Sequence, residues 1–296
     1  LKILNFGSLN IDYVYQVEHL VRPGETLSSV DRKVFAGGKG LNQSIAMARA
    51  GAKVYHAGVV GEEGVFLTEI LRRNDVDTEY IEKEIGQSTG HAVILVDQQG
   101  QNSIILYGGT NQRQNRSHIE KILNGFDKGD YLVLQNEINE LSFIMDKAYE
   151  RGMKVILNPS PMNEKIQSLD LNKVSMLILN EVEGRDLSGE EDPQEILKVL
   201  SETYPSMTII LTVGVNGAYY KSGEESVFQS AYKVQAVDTT GAGDTFTGYL
   251  IAALSRGETV ENSMNLAAKA SAISVTRNGA EASIPIIAEV LDYTFD

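Results

Sequence analysis

Short runs of β-type residues alternate with helical patterns along most of this chain, and that alternation limits its fold more than any other feature. Candidate strands span 2–6, 54–60, 131–134, 154–157, 175–179 and 208–213. Several, such as YLVLQ and TIILTV, are unbroken apolar runs, the pattern of parallel strands buried on both faces. Candidate helices span 40–50, 66–74, 141–151, 193–204, 243–254 and 260–275. Strand–helix alternation of this kind predicts βαβ units in an α/β three-layer sandwich, a mainly parallel central sheet with helices on both faces. At 296 residues and 42% hydrophobic, the chain can bury one large core, as one domain or as a domain with an appendage.

Two regions depart from the alternation. Residues 11–35 carry YVYQV and LSSVDRKVF with PGET between them, and residues 88–107 read AVILVD, QQGQ, NSIILY, a hairpin pattern. Either these pieces form a small antiparallel sheet standing off the main body, or they are two ordinary edge hairpins. No internal repeat or low-complexity tract is present.

Composition removes several function classes. With no cysteine there is no disulfide framework, no thiolate nucleophile and no Cys-based zinc site. The formal net charge of −14 is wrong for a nucleic-acid binder, whose affinity rests on Lys and Arg against phosphates. An anionic substrate must therefore meet backbone amides, a few placed cations or a metal. No stretch approaches the roughly 20 apolar residues of a membrane span. The opening LKILNFGSLN reads as a first strand, too short for a signal peptide and without its cleavage pattern, so a cytoplasmic protein is expected.

Open α/β sheets bind ligands at the carboxyl ends of their strands, so motifs just after strands matter most. The most specific is VDTTGAGDTFTG (237–248). Gly241 and Gly243 carry no side chain, so backbone N–H groups can converge there, at the positive end of the helix that follows. Asp244 sits in the first turn of that helix. An acid there is a good first-turn residue, and beside an oxyanion pocket it is also placed to take a proton from an attacking hydroxyl. Neither a GxxxxGK[ST] loop nor a GxGxxG fingerprint after the first strand is present.

The other motifs are weaker singly. In GSLNID (7–12), Asn10 and Asp12 alternate with apolar residues, so both polar side chains face one way, to read hydroxyls or to form an Asx turn. AGGKGLNQ (36–43) opens a helix, where Lys39 can reach an anion or remain solvated in a flexible loop. In LNEVEG (179–184), Asn180 and Glu183 have capping-box spacing, and their oxygens also suit a hard cation such as Mg²⁺. In LTVGVNG (211–217), Thr212, Gly214 and Gly217 can contact a nucleotide or simply make a hairpin. The four histidines fall in no ligand spacing, and no Ser/His/Asp hydrolase pattern appears.

In order and spacing these motifs, from about Gly7 to about Pro285, resemble the ribokinase (PfkB-type) family of carbohydrate kinases. GSLNID, GGKGLNQ and the tail AISVTRNGAEASIP resemble its ribokinase branch more than the family at large. The resemblance implies ATP-dependent phosphorylation of a sugar hydroxyl, O5 if the sugar is ribose. Carried over by residue, Asp244 resembles the catalytic base, and Gly241, Ala242 and Gly243 the anion hole. Asn10, Asp12, Gly38, Lys39, Asn42 and Glu137 resemble the sugar-binding set, with Asn136 a departure beside Glu137. Asn180 and Glu183 resemble the Mg²⁺–ATP motif, and Thr212, Gly214 and Gly217 the nucleotide contacts. Asp238, Thr240, Ser274, Arg277, Gly279 and Ser283 resemble the loops that hold an activating K⁺, largely by backbone carbonyls. The implied fold is a single kinase domain with a β lid, here about 11–36 and 88–109, that covers the sugar and often pairs two subunits as a homodimer. Kinases for 2-deoxyribose, a ketohexose or a nucleoside, and a non-catalytic sugar-binding protein, are the alternatives.

Overall fold

The computed structural model describes residues 1–295. Its strands are β1 (Ile3–Phe6), β2 (Asn10–Gln16), β3 (Asp31–Gly37), β4 (Val54–Val60), β5 (Asp77–Lys83), β6 (Gly90–Val96), β7 (Asn102–Tyr107), β8 (Tyr131–Gln135), β9 (Lys154–Asn158), β10 (Met176–Asn180), β11 (Thr208–Thr212), β12 (Gly217–Ser222) and β13 (Glu225–Ser230). Its helices are α1 (Lys39–Arg49), α2 (Val65–Arg73), α3 (Arg116–Leu123), α4 (Leu141–Glu150), α5 (Glu164–Gln167), α6 (Glu181–Ser188), α7 (Pro193–Thr203), α8 (Ala242–Ser255), α9 (Val260–Ser274) and α10 (Ile287–Asp292). Every strand and helix expected from the alternation is present, each end within one residue of its expected place.

The larger sheet has nine strands in the order β13-β12-β11-β10-β9-β8-β1-β4-β5. It is parallel from β5 to β11, because each of those connections crosses over through a helix or the smaller sheet. It turns antiparallel at β12 and β13, where a short turn at Gly214–Asn216 returns the chain directly. Side chains alternate between two cores. Ile3, Tyr131, Val133 and Ile210 pack under α1, α2, α8 and α9, while Leu4, Leu132, Leu134, Ile209 and Leu211 pack under α3, α4 and α7. Each fully buried Leu or Ile stabilises the fold by roughly 1.5–3 kcal/mol. Edge strand β5 (DTEYIEK) was not expected, because its charged exposed positions mask its alternation.

The two off-pattern regions form a separate four-stranded sheet, β3-β2-β6-β7. It is not wholly antiparallel: its central pair, β2 and β6, runs parallel, from Asn10↔Gly90 to Gln16↔Val96. The physical reason is the route of the chain. After β3 it returns to the body through α1, β4, α2 and β5, so β6 leaves the body from the same side as β2 instead of folding back on it. The base of this sheet is buried, whereas Val34, Phe35 and the run Ile104, Ile105, Leu106 and Tyr107 are exposed. Among the described residues, no helix is long and apolar enough to cross a membrane.

Candidate active site

The carboxyl ends of β8, β9, β10 and β11 and the amino ends of α1 and α8 meet at one cleft. A polar cavity of about 130 Å³ is lined by Lys39, Asn158, Asn180, Glu183, Gly243 and Asp244, among others. A second cavity of about 450 Å³ adjoins it, sharing Thr212 and Gly243, and is walled mainly by Ala218, Val234, Ala236, Phe246, Ala272 and Val275. A polar pocket thus opens into an apolar one.

Gly241 takes the left-handed conformation (φ 75°) that lets the chain turn into α8, a conformation costly for other residues. Gly243 is different: a Cβ there would meet nothing within 4 Å, so packing does not demand glycine and its missing side chain leaves open space beside the cavity. Helix geometry leaves the first N–H groups without intrahelical partners; Ala242 N–H is satisfied by Thr239 O (3.2 Å) and the first helical bond runs from Thr245 N–H to Gly241 O (2.8 Å). The amides of Gly243 and Asp244 remain to bind an anion. Asp244 is buried, with Asn42 Nδ2 donating to its Oδ2 (3.0 Å) and Gln43 Nε2 to its Oδ1 (2.9 Å).

Helix α1 starts beside it. A Cβ on Gly40 would lie 2.6 Å from Gly7 Cα, so only glycine lets α1 approach the end of β1 this closely. Gly38 caps α1 at φ 94°, and a Cβ on it would lie 3.1 Å from Asn10 N. Lys39 N–H donates to Glu137 Oε2 (2.9 Å), and the Ser8 hydroxyl donates to the same oxygen. Lys39 is therefore not a solvated loop residue. Burial alone would lower its ammonium, but the carboxylates of Asp244, Glu137 and Glu183 outweigh burial and hold it above its ordinary value. Burial also raises Glu137, against the pull of Lys39. Asp12 is pushed up to about 7, first by burial and then by the Glu137 carboxylate. The structure thus sets Asn42, Lys39 and Glu137 beside Asp244, with Asp12 next to Glu137 and Gly38 next to Asn10. Asn136 turns away, donating to Pro161 O (2.7 Å).

Across the cleft, Asn180 and Glu183 form the expected capping box: Asn180 N–H donates to Glu183 Oε2 (3.0 Å) and Glu183 N–H to Asn180 Oδ1 (2.9 Å). Both also line the polar cavity, so capping and cavity lining coincide in one motif. Thr212 ends β11, and Gly214 and Gly217 make the hairpin turn while lining the apolar cavity.

The remaining group lies behind α8. Asp238 accepts from Thr240 N–H (2.9 Å), the Thr240 hydroxyl (2.7 Å) and Gly279 N–H (2.9 Å), joining the two loops. Burial raises the Asp238 carboxyl, but those hydrogen bonds prevail and hold it below its ordinary value. The hydroxyls of Ser274 and Ser283 donate to Ser271 O and Ala280 O (both 2.8 Å), and the Arg277 guanidinium is turned onto Glu289 (3.0 Å). Side chains thus brace these loops.

The profile of the pfkB family carbohydrate kinases matches residues 1–287. The chain belongs to this family. Over 299 residues it is 34% identical to the ribokinase of Staphylococcus aureus (strain COL), covering 98% of each chain. It is 29% identical to the deoxyribokinase of Salmonella typhi, covering 97% of this chain and 96% of that one. The solved structure of Arabidopsis thaliana ribokinase complexed with ribose and ATP superposes with a TM-score of 0.86 at 29% identity, covering 99% of each chain. As a pfkB family carbohydrate kinase, the protein is a phosphotransferase acting on a sugar. Around its cleft, Ser8, Gln43, Asn111, Gln135, Asn158, Ser160 and Thr247 escaped the sequence reading. The available signal was a polar residue closing an apolar strand, as in YLVLQ and KVILN.

Proposed function

We propose that the protein transfers the γ-phosphoryl group of ATP to O5 of D-ribose, giving ribose 5-phosphate and ADP. One observation carries this reading: Asp244 follows the 241–243 turn directly and lies in a polar cavity that opens into an apolar one. Asp244 takes the proton of the attacking hydroxyl, while the amides of Gly241 and Gly243 receive the charge that develops on the transferred group; Ala242, expected in the same hole, has its amide turned to Thr239 O and only shapes the turn. Asn10, Asp12, Gly38, Lys39, Asn42 and Glu137 bind the sugar hydroxyls, and the smaller sheet, as a lid, excludes water. Thr212, Gly214 and Gly217 border the nucleotide, whose base fits the apolar cavity. The S. aureus ribokinase and the Arabidopsis ribose–ATP complex support this choice of substrates.

Magnesium fits the donor set, because Asn180 and Glu183 bring hard oxygens to the polar cavity, where they hold the ion through water. When bound, Mg²⁺ neutralises phosphate charge. Potassium fits the paired loops that Asp238, held anionic, ties together; backbone carbonyls of Thr240, Ser274, Arg277, Gly279 and Ser283 would hold it there. The exposed apolar run Ile104–Tyr107, with Val34 and Phe35, suits pairing of two lids in a homodimer.

A second reading, phosphorylation of 2-deoxyribose, is favoured by the deoxyribokinase relative. A panel of ribose, 2-deoxyribose, ketohexoses and adenosine, with coupled ADP detection and with or without K⁺, separates the two. Preference for 2-deoxyribose over ribose overturns the ribose assignment. Asp244→Asn is expected to lose far more than tenfold in kcat; retention within tenfold removes Asp244 as base.

A further inference from the structure

Gln43 lies next to Asn42 in the sequence but has no surface in the cleft. It is fully buried, and its amide reaches the cleft only through Asp244 and Asn158. Gln43 Nε2 donates to Asp244 Oδ1 (2.9 Å) and to Asn158 Oδ1 (3.1 Å), and Gln43 Oε1 accepts from Gln135 Nε2 (2.8 Å). Gln135 Nε2 also donates to Asn5 Oδ1 (3.0 Å). Asn5 Nδ2 donates in turn to Gly40 O and to Ser44 Oγ, both at 2.8 Å. Asn158 Nδ2 donates to Ile178 O (2.9 Å).

The direction of this chain of amides is forced at both ends. Gly40 O and Ile178 O are backbone carbonyls and can only accept, so Asn5 and Asn158 must turn their nitrogens to them and their oxygens inward. Asn5 Oδ1 then requires a donor from Gln135, Gln135 spends its other hydrogen on Gln43 Oε1, and Gln43 is left with its NH₂ toward Asp244 and Asn158. A reversed Gln43 would set an amide oxygen against a carboxylate, in a site too buried for water to screen the repulsion. Ser44 links the far end to His56 Nδ1 (2.8 Å), and burial pushes that imidazole down to about 3, so it stays neutral at working pH.

We infer that Gln43 is a positioning residue for the transfer reaction: its amide, locked by Gln135, Asn5 and Asn158, holds Asp244 Oδ1 so that the carboxylate keeps one orientation toward the sugar hydroxyl. This rests on Asp244 being the base. The test is a double-mutant cycle of wild type, Gln43→Met, Asp244→Asn and the double variant, with kcat and KM for ribose and MgATP followed over hours with radiolabelled ATP. Gln43→Met is expected to lower kcat about 10–100-fold, the range seen for groups that orient metal ligands, with both KM values within about threefold. In the Asp244→Asn background the same change should cost less than about threefold, since residues acting as one unit are not additive. An equal cost in both backgrounds, or no loss of kcat in the first, overturns the inference while leaving the base assignment intact. Full activity of Asp244→Asn overturns both. If Gln43→Met does not fold, Gln135→Met frees the amide to reverse and is judged by the same cycle. Its expected loss is about tenfold in kcat in wild type and under threefold with Asp244→Asn.

Discussion

Replacing Asp12 by Asn tests the electrostatics beside Glu137, where the sugar is proposed to bind. Burial, and then the Glu137 carboxylate, push the Asp12 carboxyl from 3.8 up to about 7 in the folded protein. This is the reverse of the usual carboxylate case. The folded state binds the proton more tightly than the unfolded chain, so stability falls as pH rises from about 3.8 to about 7 and levels off above. A gap of about 3 pH units, at about 1.4 kcal/mol each, gives a penalty of about 4 kcal/mol at pH 8. Asp12 keeps some solvent contact, which lowers this to about 2–4 kcal/mol. Asn has no charge to bury and escapes the penalty. Without sugar, Asp12→Asn should therefore gain on wild type by about 2 kcal/mol between pH 5 and pH 8, or about 4 °C in Tm. Melting curves of both proteins across that range measure it, and comparing across pH cancels any constant cost of the substitution. A stability difference that stays flat, or shrinks, as pH rises refutes the reasoning. Ribose should narrow the difference, because hydroxyls donating to Asp12 favour its ionised form.

Three further outcomes are expected. In wild type, kcat/KM for ribose rises with pH through about 7, as Asp12 becomes an acceptor, and Asp12→Asn loses that limb. A Cβ on Gly248 would lie 2.9 Å from Met47 N, so Gly248→Ala should force α8 off α1, cost roughly 1–3 kcal/mol by denaturant unfolding and lower kcat, since these helices carry Asp244 and Asn42. Ile105, 68% exposed on an outer strand of the smaller sheet, should tolerate Glu in folding and activity, while sedimentation should show loss of the homodimer proposed above; an unchanged sedimentation coefficient refutes pairing through this strand.

The body of the fold was legible because its strands are buried on both faces. A strand such as TIILT has no polar face to confuse with a helix, and some helices open on a conventional cap, as with Asp192 and Pro193 at α7. What stayed hidden lies at the edges. Strand β5 carries Asp77, Glu79, Glu82 and Lys83 on a half-exposed strand, so its sequence matches a polar loop as well as a strand. The parallel pairing of β2 with β6 was illegible for another reason: strand direction is decided by the path between strands, and here that path runs through the main body.

The site divides the same way, by sequence distance. Asp244 with the 241–243 turn, and Asn180 with Glu183, lie within a few neighbouring residues, so their spacing marked them as candidates and the family resemblance supplied the roles. Gln43 and Asp244 meet from 201 residues apart, and Gln43 and Gln135 from 92, which no local spacing encodes. A weaker signal was nevertheless present. Parallel strands buried on both faces should be wholly apolar, yet ILNF, YLVLQ, KVILN, MLILN and TIILT each contain one amide or hydroxyl near or at the carboxyl end. A buried amide without a partner costs about 1–3 kcal/mol, so the three buried exceptions, Asn5, Gln135 and Asn158, must satisfy one another or face a ligand, while Asn180 and Thr212 keep access to solvent. Asn180 and Thr212 line the cleft, Asn5 and Gln135 lie behind it under α1, and Asn158 does both. In a parallel sheet, then, the polar exceptions at the carboxyl edge outline an active site together with the scaffold that orients it, before any motif is identified.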